Sequence, residues 1–264
     1  MTTRCTYSCE IVVLFFSYCD WCWLLQGPLS ALEHKELLEN AVKVVCNADK
    51  SSETYPYVLR RDVSLPEINI HYLVQPDYIG GPGADDRPTL AFFAGQMHGH
   101  VRPILIKHWQ HDPDMKVMEV LENEMKKPDY IQNMRSSKYC LCAQGFEVNS
   151  PRIVEAIYQD CVPVILADHI DLPFSDVLNW DKFSVTVREA EIPNLKKILT
   201  EIPDKKYRAM QGSLKSVRKH FLWNNQLNVK YDVFHMILHS IWLSRLQQTD
   251  TNPIIEQKSV AQVL

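Results

Sequence analysis

The chain has 264 residues, 46% of them hydrophobic and 23% charged, enough apolar material for one large domain or two small ones. Its 28 basic and 32 acidic residues leave a formal charge of -4 with no long basic run, so nucleic acid is not expected as a partner. Eight glycines against 15 prolines exclude a collagen-like or low-complexity chain.

Residues 1–26 form an atypical apolar segment. Asp20 divides the apolar run 11–19 from 21–25, and the whole is about 15 residues, short for a membrane span. It reads either as a signal or anchor segment, with Arg4 as a weak positive flank opposed by Glu10, or as a segment foreign to the fold. Cys5, Cys9, Cys19 and Cys22 lie here; Cys19 and Cys22 make a C-x-x-C with no second pair at zinc-ribbon spacing. Cys46 stands apart, and Cys140, Cys142 and Cys161 sit in apolar runs and read as buried thiols. No N-x-S/T sequon is present.

Residues 34–46 read as a helix, because Leu37, Leu38, Ala41, Val42 and Val45 recur at helical spacing. Residues 62–67 are a short extended piece ended by Pro66. Gly80-Gly81-Pro82-Gly83 marks a linker within residues 72–88 and places a domain boundary there. Residues 27–88 then form one unit, 89–246 a second, and 247–264 a polar tail. In the second unit strands are expected at 89–95, 116–121, 139–142, 162–167 and 183–187. Helices are expected at 101–108, 129–135, 151–159, 192–202, 207–221 and 231–246. Such alternation implies an α/β fold whose parallel sheet is covered on both faces.

The chemistry concentrates in residues 139–168, Y-C-L-C-A-Q-G-F-E-V-N-S-P-R-I-V-E-A-I-Y-Q-D-C-V-P-V-I-L-A-D, which read as strand, loop, helix, strand. Gly145 lets the loop pass close to a ligand. Ser150 suits an N-cap and Pro151 the first helical position, so the helix start offers free N–H groups to a phosphate. Arg152 adds a fixed cation in that turn, and Glu155, three residues on, adds a carboxylate for ribose hydroxyls. The same residues also fit ordinary helix capping and a solvated i,i+3 ion pair.

Further stretches extend the pattern: N-A-V-K-V-V-C-N-A-D (residues 40–49), D-V-S-L-P-E (62–67), A-F-F-A-G-Q-M-H-G-H-V-R-P-I-L (91–105), P-F-S-D-V-L-N-W, F-S-V-T-V, I-P-N-L-K and K-Y-D-V-F-H-M-I-L-H-S-I-W. In these stretches and their order, residues 27–246 resemble the plant exostosin-like glycosyltransferases of family 47. The resemblance implies a GT-B-type enzyme: a Rossmann-like C-terminal domain with a parallel sheet, here with a remnant of the N-terminal, acceptor-side domain. It implies an anchored protein on the lumenal face of the Golgi membrane. The implied reaction is inverting transfer of a sugar from a nucleotide sugar, usually a UDP-sugar, to a cell-wall or matrix polysaccharide. It further implies no cofactor and no metal, and leaves room for a complex with related glycosyltransferases. Gly145, Ser150, Arg152 and Glu155 match the donor-site motif. Arg102 matches an arginine near the diphosphate, which would stabilise charge on the leaving UDP; without the resemblance it reads equally as a surface helix arginine.

No catalytic base is named, because in such enzymes that group usually comes from the domain upstream. Residues 1–26 depart from the family, and Gly27-Pro28 resumes it at the end of an H-D-W-G-P-like segment. That departure implies an alternative transcript or a gene model that reads through a splice boundary. The alternative function is a catalytically inactive, truncated isoform that binds nucleotide sugar or associates with a full-length relative. Asp112-Pro113-Asp114 is a D-x-D in a polar loop. His98, His100, His108 and His111, like His220, His235 and His239, read as loop or helix residues rather than metal ligands. The last helix could cross back to the first domain, leaving apolar surface exposed without it.

Overall fold

A computed structural model describes residues 13–16, 41–53, 57–68, 79–120, 127–223 and 230–250. Two parallel sheets organise them. The smaller has the order β1 (Val13–Phe16), β2 (Val42–Val45), β3 (Val63–Ser64). The larger is built from β4 (Thr89–Gly95), β5 (Met115–Glu119), β6 (Ser137–Ala143), β7 (Val162–Leu166) and β8 (Val185–Thr186), in the order β5-β4-β6-β7-β8.

Between the large-sheet strands run α1 (Val101–Trp109), α2 (Lys127–Arg135) and α3 (Arg152–Tyr158). After β8 come α4 (Leu195–Thr200), α5 (Asp204–Val217) and α6 (Val233–Asp250). β4 (TLAFFAG), β6 (SKYCLCA) and β7 (VPVIL) are apolar almost throughout and buried along nearly their whole length. Such strands require cover on both faces, as expected for a Rossmann-like α/β fold. The registers Ala91↔Met115, Ala91↔Tyr139 and Tyr139↔Val162 align the carboxyl ends of β5, β4, β6 and β7 along one edge. From β4 the chain winds outward through α1 to β5, and from β6 it winds the opposite way through α3 to β7. The winding therefore reverses between β4 and β6, the place where open α/β sheets leave a crevice for a ligand.

Several expectations change. Residues 42–45, expected to end a helix, are the central strand of the small sheet. The β-branched Val42, Val44 and Val45 suit a pleated surface better than a helix, and pairing with β1 and β3 outweighs the helical spacing. Residues 34–40 lie outside the described residues. Within the N-terminal apolar run, residues 13–16 form β1, paired in parallel with β2. Among the described residues, no helix is long and apolar enough to cross a membrane. The helix expected from residue 192 begins at Leu195, because residues 189–194 form a 3-10 helix containing Pro193. The helix expected over 207–221 starts three residues earlier, at Asp204, and passes into a 3-10 turn after Val217.

Cys140 and Cys161 are not separate buried thiols: they form a disulfide, with Cα atoms 5.8 Å apart, that ties β6 to the entry of β7 across α3. Cys142 keeps a buried thiol, its pKa pushed up by burial. Cys5, Cys9, Cys19 and Cys22 lie outside the described residues. At the opposite, amino-terminal edge, Arg87 is fully buried and donates to the carbonyls of Pro82, Met134, Ser137 and Gln159. Asp160, in the left-handed region at φ 52°, accepts the Gly81 N–H at 3.0 Å and pairs with Arg218 at 2.8 Å. These contacts moor residues 81–87 to the sheet.

Candidate functional site

Two loops leave the carboxyl edge of the large sheet at the point where the winding reverses. Residues 96–100 lead from β4 into α1, and residues 144–150 lead from β6 into α3. Gly99, at φ +70°, approaches Gly145 so closely that a Cβ on Gly99 would overlap the Gly145 carbonyl. Each loop delivers an arginine that reaches across to the other strand. Arg102, at the start of α1, donates from Nε to the Ala143 carbonyl at the end of β6 (3.4 Å) and from Nη1 to Gln96 O (3.1 Å). Arg152, at the start of α3, donates from Nε and Nη2 to the Ala94 carbonyl near the end of β4 (3.2 and 2.9 Å) and from Nη1 to Ser150 Oγ (3.3 Å). Its guanidinium also lies 5.2 Å from the centre of the Phe93 ring.

Glycines make the room. A Cβ on Gly95 would overlap Arg152, and one on Gly145 would stand 2.6 Å from Arg102 Nη2. Gly145 therefore serves the arginine directly, where it was expected to serve the ligand.

The electrostatics of the pair are unusual. Arg102 is 7% exposed. Burial first, and then the positive charge of Arg152, push its pKa down to about 10. At neutral pH Arg102 stays charged, yet among the described residues neither guanidinium lies within ion-pair distance of a carboxylate. Arg102 is buried and Arg152 half-buried; beyond the field of Glu67 on Arg102, they are bonded only to carbonyls and a hydroxyl, which makes the site anion-seeking.

Glu155 is also buried and accepts a 2.9 Å hydrogen bond from the Tyr130 hydroxyl of α2, which fixes the carboxylate on the α2 side of the crevice. The start of α3 differs from expectation. Pro151, not Ser150, takes the N-cap position. The Arg152 N–H turns to Ser150 Oγ at 3.4 Å and the Ile153 N–H to Ser150 O at 3.0 Å, so these two amides are engaged within the turn. Side chains rather than open amides thus carry the site's positive character. The structure brings Arg102, Gly145, Ser150 and Arg152 together, with Glu155 one turn along α3. Gly95, Gly99, Phe93 and Tyr130 were not singled out; glycines at the ends of β4 and of the loop after it were the available signal.

The remaining candidates have other duties. Lys196 clasps both acids of the D-x-D, at 2.8 Å from Asp112 and 2.6 Å from Asp114. His100 Nε2 lies 2.6 Å from Glu189, and His235 lies 2.6 Å from Asp232. His220 donates from Nδ1 to the Tyr231 carbonyl, while His108 and His111 are exposed.

The comparisons with known proteins bear on this geometry. A model of the exostosin GT47 domain matches residues 15–202. The chain belongs to the exostosin GT47 family. Its match starts twelve residues before Gly27, so the expectation that all of residues 1–26 fall outside the family is corrected. An Arabidopsis thaliana probable glycosyltransferase is 46% identical over 228 residues, covering 86% of this chain and 42% of that protein. A probable arabinosyltransferase from the same plant is 31% identical over 174 residues, covering 63% of this chain and 39% of the relative. This exostosin-family chain thus spans less than half the length of the curated relatives it matches. The crystal structure of TarM aligns with 78% of this chain and 51% of its own at 9% identity, with a TM-score of 0.40, too low to add to what the strand order already establishes.

Proposed function

We propose that this chain is the donor-binding part of an inverting glycosyltransferase that takes a sugar from a UDP-sugar and passes it to a polysaccharide. The observation that carries the reading is the pair of converging guanidiniums, Arg102 buried and Arg152 half-buried, neither in an ion pair among the described residues, at the crevice where the sheet reverses. A nucleoside diphosphate supplies the missing negative charge. Arg102 and Arg152 approach it from opposite strands, already oriented by Ala143, Gln96 and Ala94, so little reorganisation is needed as charge builds on the leaving diphosphate. Glu155, held by Tyr130, accepts hydrogen bonds from the ribose hydroxyls. Ser150 steadies the Arg152 side chain. The name of the arabinosyltransferase relative supports a pentose or a similar sugar as the group transferred.

The Cys140–Cys161 disulfide supports a compartment that is oxidising, in keeping with the Golgi lumen. The general base for the acceptor hydroxyl is assigned to the acceptor-side domain of the whole enzyme. The discriminating experiment follows UDP release from UDP-arabinose and UDP-glucuronate with cell-wall oligosaccharides as acceptors. Acceptor-dependent release establishes transfer by this chain. UDP binding with no release at any acceptor concentration identifies a nucleotide-sugar-binding isoform instead.

A further inference from the structure

Loop 144–150 holds a large aromatic ring out in water. Phe146 is 81% exposed, although Gly145 before it is tucked against Arg102 and Val148 after it is buried. The loop is stapled rather than loose. The Gly145 N–H donates to Glu147 O at 3.1 Å, the Val148 N–H to Asn47 Oδ1 at 3.1 Å, and Asn149 Nδ2 to Cys46 O at 2.6 Å. One face of the ring is already taken: the His98 imidazole lies against it, with centroids 4.4 Å apart and planes 20° from parallel. His98 belongs to loop 96–100, so the two loops that deliver Arg102 and Arg152 meet a second time as a stacked pair. A second, independent observation lies on the other side of Gly145. Among the described residues no donor reaches the buried Gln144 side-chain oxygen, a condition that a ligand hydroxyl meeting it would relieve.

An exposed aromatic face, with an unsatisfied acceptor two residues before it in the same loop, suits a ring with C–H bonds on its face and hydroxyls at its rim. The order of groups in a nucleotide sugar says which ring. Glu155 and Tyr130 hold the ribose toward α2, so the base extends beyond them. Phe146 stands instead on a loop bonded to Asn47 and Cys46, just after β2. We infer that Gln144 and Phe146, with His98 backing the ring, form a subsite for a sugar ring beyond the diphosphate. That ring is either the transferred sugar or the terminal residue of the acceptor, since both present the same C–H face and hydroxyls. The inference rests on the donor-site reading above.

The test is calorimetric titration of the unmodified chain, Phe146→Ala, Phe146→Trp and Gln144→Leu with UDP, UDP-arabinose, UDP-glucuronate and arabinan and xylan oligosaccharides. Phe146→Ala is expected to weaken one class of sugar ligand about tenfold while changing UDP affinity less than twofold. Loss on the UDP-sugars assigns the ring to the donor, and loss on the oligosaccharides assigns it to the acceptor. Phe146→Trp retains the affinity, and Gln144→Leu, which keeps the volume and removes the acceptor, weakens the same class. The subsite is overturned if Phe146→Ala leaves every sugar ligand unchanged, if it weakens UDP as much as the UDP-sugars, or if no sugar moiety contributes to binding in the unmodified chain. Failure of UDP itself to bind the unmodified chain overturns the donor site, and the subsite with it. Intact UDP binding with no sugar effect overturns the subsite alone.

Discussion

Arg102 and Arg152 are held in place by carbonyl groups that belong to each other's strands, and glycine at 95 and 145 is what lets them lie there. A methyl group at 145 would sit 2.6 Å from Arg102 Nη2, so Gly145→Ala displaces the guanidinium without touching the core. The expected result is a loss of UDP affinity of about tenfold, in the range of one hydrogen bond to a charged group, with little change in thermal stability. Titration calorimetry beside a melting curve checks both halves. The pH sign follows from the depressed pKa of Arg102. Its folded pKa, about 10, lies below the usual guanidinium value, so the charged form is held at a cost throughout the neutral range. That cost is relieved only as pH rises through about 10, and a bound anion is what offsets it at neutral pH. The arginines themselves were legible in the sequence, as members of motifs after two apolar strands. Their crossing was not, because it depends on β4 and β6 being neighbours, which no local pattern states.

Among the elements, the apolar strands were read within a few residues: β4 is Thr89–Gly95 as read, and β7, read as 162–167, ends at Leu166. The segment 42–45 was misread because its valines satisfy the helical period as well as the strand, and only partners distant in sequence decide between them. The disulfide was hidden for a similar reason. Cys140 and Cys161 are 21 residues apart, and each resembles an ordinary core cysteine until β6 and β7 pair in register. Closing a loop of that length contributes about 3 kcal/mol by the chain-entropy estimate. Replacing both cysteines with alanine is expected to lower unfolding stability by that order in urea titrations, while leaving UDP affinity within twofold. Helix α5 offers the opposite change. Gly212 lies in its interior with nothing within 4 Å of an added Cβ. Gly212→Ala should therefore raise stability by about 0.5–1 kcal/mol, measured the same way.

At the scale of the whole molecule, the strand order β5-β4-β6-β7-β8 decides where function sits, because it sets the reversal between β4 and β6 at the edge to which both arginine-bearing loops run. The alternation of strands and helices was enough to read an α/β class from the sequence. The order of the strands was not, since it is written in pairings rather than in periods. Helix α6 packs Val233, Ile237 and Ile241 inward and leaves Phe234, Leu238 and Trp242 half-exposed along one stripe, as expected of a last helix with apolar surface to spare. The most direct measurement is titration of UDP into the unmodified chain and into Arg102→Leu and Arg152→Leu, with melting curves of each free protein. If the two guanidiniums are there to receive a diphosphate, the unmodified chain binds UDP. Each leucine variant then loses at least tenfold in affinity, and Arg102→Leu, which removes a buried charge, melts no lower than the unmodified chain. UDP affinity unchanged by both substitutions, or variants that unfold while the unmodified chain binds no UDP, would contradict it.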